Sequence, residues 1–430
     1  MEFLPIFGYV AILLLAALLS TRLMKILKLP NVTGYIITGI IMGPFVFGLL
    51  FNNFTYTDIK LAPIYQYVDK ISWVSSVALG FIAFSIGTSF KSTTIKAVGK
   101  RVVIITIFEA FAASLFVILA LIGMHFVFPD QLSWPLVLTL GAIASATAPA
   151  ATLMVIKQYK ASGPVVDTLL PVVALDDAAA LILFAVLFQI AMGISSGNFS
   201  IYNMLLKPLI EISISLVFGA IIGLFIGFMN KFFKSRNNRL IFCIFSIFAA
   251  LGLYMLFKNP KLGGFELSSL LMCMMAGAIY TNMRKDSVRT LDVMDRFTSP
   301  IYMMFFVISG ASLDLTIFFN KQGLIVLAIA GTYILFRVIG KYLGAFTGAT
   351  ITKSDDNVKK YLGLTLVPQA GVAIGLATNA SKLFSENEST LLAASLIIAI
   401  ILTSTLVYEL VGPLVSKFAL TKAGAINEQQ

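Results

Sequence analysis

The stretch PVVALDDAAALILF, residues 171–184, sets two adjacent acids, Asp176 and Asp177, inside a run that otherwise reads as membrane-spanning. A charge at the centre of a bilayer costs on the order of 3 kcal/mol, so such a residue marks an ion or proton path by default. Consecutive helix positions point about 100° apart. The two carboxyls therefore cannot serve one ligand in the same way: one faces a water-filled cavity while the other turns toward a neighbouring span. A carboxyl can carry a proton, and once ionised it is a hard oxygen ligand for a small cation. A proton and a cation competing for one carboxylate give obligatory exchange, provided that only the loaded site crosses.

Other charged residues that stand out within apolar runs are Glu109, Arg337 and Lys341. A lysine buried beside a carboxylate holds an ion pair and, unlike arginine, can give up its proton when a cation takes that carboxylate. Lys341 also lies near the end of a long span, so snorkelling to the interface is a second reading. Arg337, one turn deeper, is expected to pair with Glu109; depth alone also allows the reverse pairing.

Positioning these groups requires spans of about 20 apolar residues. The chain offers 13 candidates, including 102–124 around Glu109, 134–157, 164–193 around the acid pair, 322–349 around Lys341, 360–380 and 389–416. Two of them differ from ordinary apolar helices. GAIASATAPAATL, 141–153, is rich in small residues around Thr147 and Pro149, and LTLVPQAGVAIGLA, 364–377, places Pro368 and Gln369 mid-span. Small residues let backbones approach closely, and a mid-span proline removes a backbone bond. Either proline alone is read as a kink as readily as a break. As a pair, in the middle elements of two oppositely directed triplets (spans four to six and eleven to thirteen), they point to inverted repeats with a midplane site.

Of 430 residues, 59% are hydrophobic and only 12% charged, which describes a polytopic membrane protein. The net charge of +11 does not signal nucleic acid, because it is topological. With the N-terminus outside, twenty-two of the 31 Lys and Arg fall on the inner side and seven on the outer, with Arg337 and Lys341 inside a span. The first apolar run follows Glu2 and precedes its basic residues, the opposite of a secretory signal, so it reads as a retained helix. Cys243 and Cys273 lie in apolar runs and read as small core residues. One histidine, His125, cannot build a metal site. The tail KAGAINEQQ follows the last span closely, so no soluble regulatory domain is expected.

These residues carry a resemblance. LPNVTGYIITGIIMGP, GFIAFSIGTSF, SATAPAATLMVIKQYKASGPVVDTLLPVVALDD, RVIGKYLGA and LVPQAGVAIGLA, in this order, resemble the motifs of bacterial sodium/proton antiporters of the cation:proton antiporter superfamily over nearly the whole chain. The resemblance implies an all-α fold of about 13 transmembrane helices, with inverted repeats, two crossed broken helices and a core moving against a dimerisation scaffold. On that plan residues 1–101 are scaffold helices one to three and 102–193 are core helices four to six. Residues 194–237 are a linking helix, 238–321 scaffold helices eight to ten and 322–430 core helices eleven to thirteen. It also implies that Asp177 binds the ion or proton and that Asp176, which joins it at the monovalent-cation site, pairs with Lys341. Glu109 and Arg337 would form a structural ion pair, and Thr147, Pro149, Pro368 and Gln369 the broken-helix crossing. Members with two acids and the lysine are generally electrogenic; relatives with Asn or Gln at the first acid are typically electroneutral or carry potassium. Some members place an acid after the Ala-Thr of the first broken helix. Here Ala148 follows Thr147, so the Thr147 hydroxyl, backbone carbonyls and water must do more of the charge compensation.

The implied function is secondary active monovalent cation/proton antiport, electrogenic Na⁺/H⁺ exchange first. K⁺/H⁺ or electroneutral exchange is the main rival and a sodium-coupled organic anion symporter a remote one. No enzyme and no cofactor are expected, only transported Na⁺ and H⁺, with Li⁺ or K⁺ as alternative cargo. The expected partners are membrane lipid and a second copy of the chain, without nucleic acid. The expected place is a bacterial inner membrane, C-terminus cytoplasmic. Thr33-Gly34-Tyr35 is too short for a potassium-channel filter. An intramembrane aspartyl protease would need its two acids on different helices.

Overall fold

The computed structural model describes residues 4–44, 46–48, 64–88, 90, 92–196, 206–233, 235–257, 267–283, 287–312, 323–385 and 390–426. Several charges used in the topological count, among them Lys60, Lys258, Lys261, Lys285 and Lys321, lie outside them. The described regular structure is entirely helical. The chain begins with α1 (Leu4–Ile26), α2 (Asn31–Met42), α3 (Ile64–Ile71), α4 (Trp73–Thr88), α5 (Ser92–His125), α6 (Trp134–Ala144), α7 (Pro149–Tyr159) and α8 (Pro164–Ser196). It continues with α9 (Lys207–Met229), α10 (Arg236–Phe257), α11 (Ser269–Met283) and α12 (Ser287–Ala311), then α13 (Gly323–Ile351), α14 (Asp356–Thr365), α15 (Gly371–Phe384) and α16 (Leu391–Lys422). Eight helical stretches among the described residues are long and apolar enough to cross a membrane.

The expected span 134–157 is two helices, α6 and α7, separated by Ser145–Ala148. Span 360–380 is likewise two, α14 and α15, separated by residues 366–370. Pro149 opens α7, where its missing N–H would have had no intrahelical partner. Pro171, by contrast, is carried inside α8 without ending it. The α14 start is written in its sequence: Asp355 caps it by accepting from Asn357 N at 2.8 Å. There Lys359 bonds the exposed Asp356 at 2.8 Å and holds its carboxyl below the usual range.

One boundary differs from expectation. The helix around Glu109 starts at Ser92, ten residues before the apolar run, because a helix can continue past the membrane on polar residues. Between α3 and α4 the chain is parted at Ser72, whose hydroxyl donates to Asp69 O at 2.6 Å.

One apolar core gathers Val117, Leu140, Phe184, Ile329, Val367 and Ile397, from α5, α6, α8, α13, α16 and the second break. Another gathers Ile36, Phe84, Ala150, Ile247, Cys273 and Phe306. Cys243 belongs to it too, and both cysteines are buried and free. The most extensive helix contact is α5 against α13. Glycines make it close: a β-carbon on Gly344 would stand 2.5 Å from Glu109 Cα, and one on Gly340 2.7 Å from Ala112 O. That approach brings the Glu109 side chain to the helix that carries Lys341.

Candidate functional site

The buried charges converge where the two interrupted helices meet. Lys341 Nζ lies 2.5 Å from Glu109 Oε2 and 3.0 Å from Asp176 Oδ2, and all three side chains are fully buried. The ammonium also donates to Ser145 O, 2.5 Å away in the first break. One cation thus ties α5, α8 and the break to α13. Snorkelling of Lys341 is excluded by its complete burial.

The expected Glu109–Arg337 pair is not formed. Arg337 instead turns its planar fork on backbone carbonyls. Nε donates to Ala144 O at 2.9 Å, Nη2 to Ala146 O at 2.6 Å and Nη1 to Val367 O at 2.7 Å. Each interruption leaves carbonyls at a helix C-terminus without intrahelical partners, and that end carries the negative pole of the helix dipole. Arg337 satisfies both ends at once, with its guanidinium 4.6 Å over the Tyr408 ring. The physical reason for the changed pairing is register. Lys341 stands next to the α5 approach at Gly340 and Gly344, whereas Arg337, one turn away, faces the breaks.

Gln369 completes the crossing. Its amide nitrogen donates to Ile143 O at 2.9 Å and Ala146 O at 3.3 Å, and Tyr333 donates to its Oε1 at 3.1 Å. The two interruptions also bond directly, Ala148 N to Pro368 O at 2.9 Å. Thr152 reaches Thr365 O at 3.0 Å, and a β-carbon on Gly412 would meet the Pro368 ring at 2.9 Å. Of the described crossing residues, Thr147 departs from expectation: its hydroxyl is buried and has no partner. Of the expected sources of compensation at this break, a backbone carbonyl is the one in place: Pro368 O accepts from Ala148 N.

Asp177 is placed differently from Asp176. Its side chain keeps 9% exposure against none for its neighbour, and its buried Oδ1 has no hydrogen-bond partner. It lies within electrostatic reach of both Asp176 and Lys341. The arrangement therefore holds one acid ion-paired to Lys341 and, beside it, one that forms no ion pair among the described residues and keeps some exposure; Asp176 Oδ1 is likewise buried without a partner, so the ion pair and the exposure are what separate the two acids. A carboxylate without a cation of its own can take a proton or a small cation.

Two participants, Tyr333 and Tyr408, and one further buried acid, Glu409, escaped the sequence reading. Tyr333, Arg337 and Lys341 recur at four-residue spacing and so share one face of α13; that spacing was a readable signal for Tyr333. Tyr408 had no such signal. Glu409, in LVYELVG, is an acid in an apolar span by the same criterion that singles out Glu109; it is buried and its Oε2 has no partner.

The comparisons with known proteins follow the same outline. Two solved structures of the sodium proton antiporter MjNhaP1 from Methanocaldococcus jannaschii are similar in fold. One, at pH 8, gives a TM-score of 0.64 at 20% identity, covering 98% of this chain and 99% of that one. The other, from an electron-microscopy map, gives 0.75 at 18% identity over 100% of both chains. No curated protein matches the chain. The family model described as sodium/hydrogen exchanger, transmembrane, matches residues 10–417, a stretch that contains Glu109, Asp176, Asp177, Arg337 and Lys341. The chain belongs to the sodium/hydrogen exchanger family of membrane transporters.

Proposed function

We propose that this chain exchanges sodium for protons by alternating access, and that Asp177 is the carboxylate for which the two compete. The observation that carries the reading is that Asp177, alone of the three carboxyls, keeps some exposure and forms no ion pair with Lys341, beside the fully buried Glu109–Lys341–Asp176 cluster. The site carries three carboxyls and two cations, of which Lys341 pairs with acids while Arg337 is held on the carbonyls of the breaks. A single proton or monovalent cation at Asp177 brings the ionised set to neutrality, and only a neutral site crosses a low-dielectric barrier cheaply. The empty site carries an uncompensated charge and stays where it is. Coupling follows from that difference alone.

A second proton enters through Asp176. If the arriving cation also draws on Asp176, Lys341 loses that partner and releases its proton, which makes exchange electrogenic at two protons per sodium. Glu109 favours a second reading. At 2.5 Å from Nζ it keeps the ammonium paired when Asp176 leaves, and exchange is then electroneutral. K⁺ or Li⁺ in place of Na⁺ is compatible with either reading, since a hard oxygen site alone does not select among them.

The rest of the reading rests on charge distribution and resemblance. The basic excess supports an external N-terminus and a cytoplasmic C-terminus in a bacterial inner membrane. The sequence motifs support a homodimer in which residues 102–193 and 322–430 move as a core against a scaffold. The crossed interruptions, with their bond from Ala148 to Pro368, support the inverted-repeat arrangement. The test is charge movement by the purified chain in liposomes on Na⁺ and K⁺ jumps over a range of pH. Net current on Na⁺ jumps, with accompanying proton flux, is the expected result. Proton flux without current means the electroneutral reading, and flux driven by K⁺ but not Na⁺ overturns the sodium assignment.

A further inference from the structure

We propose that a cavity between the α1–α2 turn and the last turns of α16 binds the phosphate headgroup of an anionic phospholipid. The cavity measures about 400 Å³ and draws Lys28 from the turn together with Lys417, Thr421 and Lys422 from α16. No acidic residue lines it. Three like charges around one space repel each other, and a phosphate oxygen cluster relieves that repulsion while accepting from lysine and threonine donors.

The rest of the wall decides between a free anion and a lipid. Leu29, Leu414 and Phe418 complete the lining, and Phe418 is 54% exposed. A dissolved phosphate gains nothing from an apolar wall, whereas a phospholipid fills it with its glycerol and upper acyl carbons. The cavity also lies at the basic ends of two apolar helices, α1 and α16. Lys25 lies in the last turn of α1, and Lys160 caps α7, whose Tyr159 ring sits 4.8 Å from Lys417 Nζ. Basic pockets between spanning helices at such ends are suited to anionic headgroups.

Lys417 already donates to Lys28 O at 2.5 Å, so its ammonium tethers the turn to α16 across most of the chain's length. Lys28 supplies the second cation from a left-handed backbone conformation, φ 56°, in which glycine would sit more easily. Lys160 and Lys353 adopt the same conformation, so it is not specific by itself. What sets Lys28 apart is that its cavity is shared with two lysines nearly 400 residues further along. A lipid seated there bridges α1–α2 and α16, and so braces two parts of the molecule that meet at this end.

The backbone of Lys28 makes a clean experiment. Lys28→Gly removes a charge while relieving the left-handed conformation, and Lys422→Gln removes a second. The full chain, purified in detergent, is unfolded thermally with phosphatidylglycerol, with phosphatidylcholine and with inorganic phosphate. Wild type is expected to be stabilised by phosphatidylglycerol alone, and the Lys28→Gly/Lys422→Gln variant to lose at least half of that shift. Lys28→Arg/Lys422→Arg is expected to keep it. An equal phosphatidylglycerol shift in wild type and the Gly/Gln variant overturns the site, and an equal shift from inorganic phosphate overturns its assignment to a lipid. Loss of the shift in the Arg/Arg variant as well overturns the role of charge.

Discussion

Replacing Asp177 by asparagine abolishes cation-driven proton movement in liposomes, for Na⁺, Li⁺ and K⁺ alike, and leaves the protein folded. Both halves of that result follow from the geometry. Asp177 keeps 9% exposure and an unpartnered Oδ1, so no ion pair in the described structure depends on its charge. Asparagine is close in shape and removes a buried carboxylate that has no cation of its own, so thermal stability is expected to hold or rise. The exchange has no substitute. An amide neither takes up the proton nor supplies the negative charge that makes the loaded site neutral. Flux should fall to that of empty liposomes, and a variant that exchanges at the wild-type rate would show that the competition takes place elsewhere. The same experiment on Asp176 would be harder to read, because that carboxylate also holds Lys341.

Lys341→Met is the second large effect, and here the fold itself responds. Methionine fills the aliphatic volume but leaves Glu109 and Asp176 buried with no cation between them, and leaves Ser145 O without its donor. Breaking a buried ion pair by removing one partner costs about 3–5 kcal/mol. A clear fall in melting temperature in detergent is therefore expected, along with loss of exchange. Adding Glu109→Gln should recover part of the lost stability, because one of the two stranded charges is then gone. If Lys341→Met melts like wild type, or if the double variant recovers nothing, the three groups are not the coupled cluster that their distances describe. Arg337 is expected to be independent of this cycle, since its partners are carbonyls of Ala144, Ala146 and Val367 and no acid is among them.

The contrast between Lys341 and Arg337 also shows where reading the sequence stops. The apolar runs, the acids inside them and the two proline-bearing interruptions are visible as composition and spacing, because bilayer thickness and the cost of buried charge constrain them strongly. Pairing is another matter. Which of two cations one turn apart on the same face meets Glu109 depends on the level at which α5 crosses α13, and that is set by the close approach of Gly344 to Glu109 and of Gly340 to Ala112. The partners of Arg337 were harder still. Every residue carries a carbonyl, so only the location of the two helix ends reveals that Ala144, Ala146 and Val367 need a donor. At the first break three sources of compensation were expected, the Thr147 hydroxyl, backbone carbonyls and water; the Pro368 carbonyl takes the Ala148 N–H, and the hydroxyl has no partner. Glu409 was legible and was missed, since a lone acid in an apolar run is the same signal as Glu109.

The central claim is that one proton and one cation compete for Asp177, and the most direct test is the pH dependence of the apparent KM for Na⁺ in liposomes, at fixed driving force. Single-proton competition predicts that KM rises by about tenfold for each unit of pH below the point where the site is half protonated, with the maximal rate unchanged. Raising Na⁺ should then restore the full rate at acid pH. A KM that stays constant with pH while the maximal rate falls would contradict the account, because it would place the proton on a group that the cation never displaces.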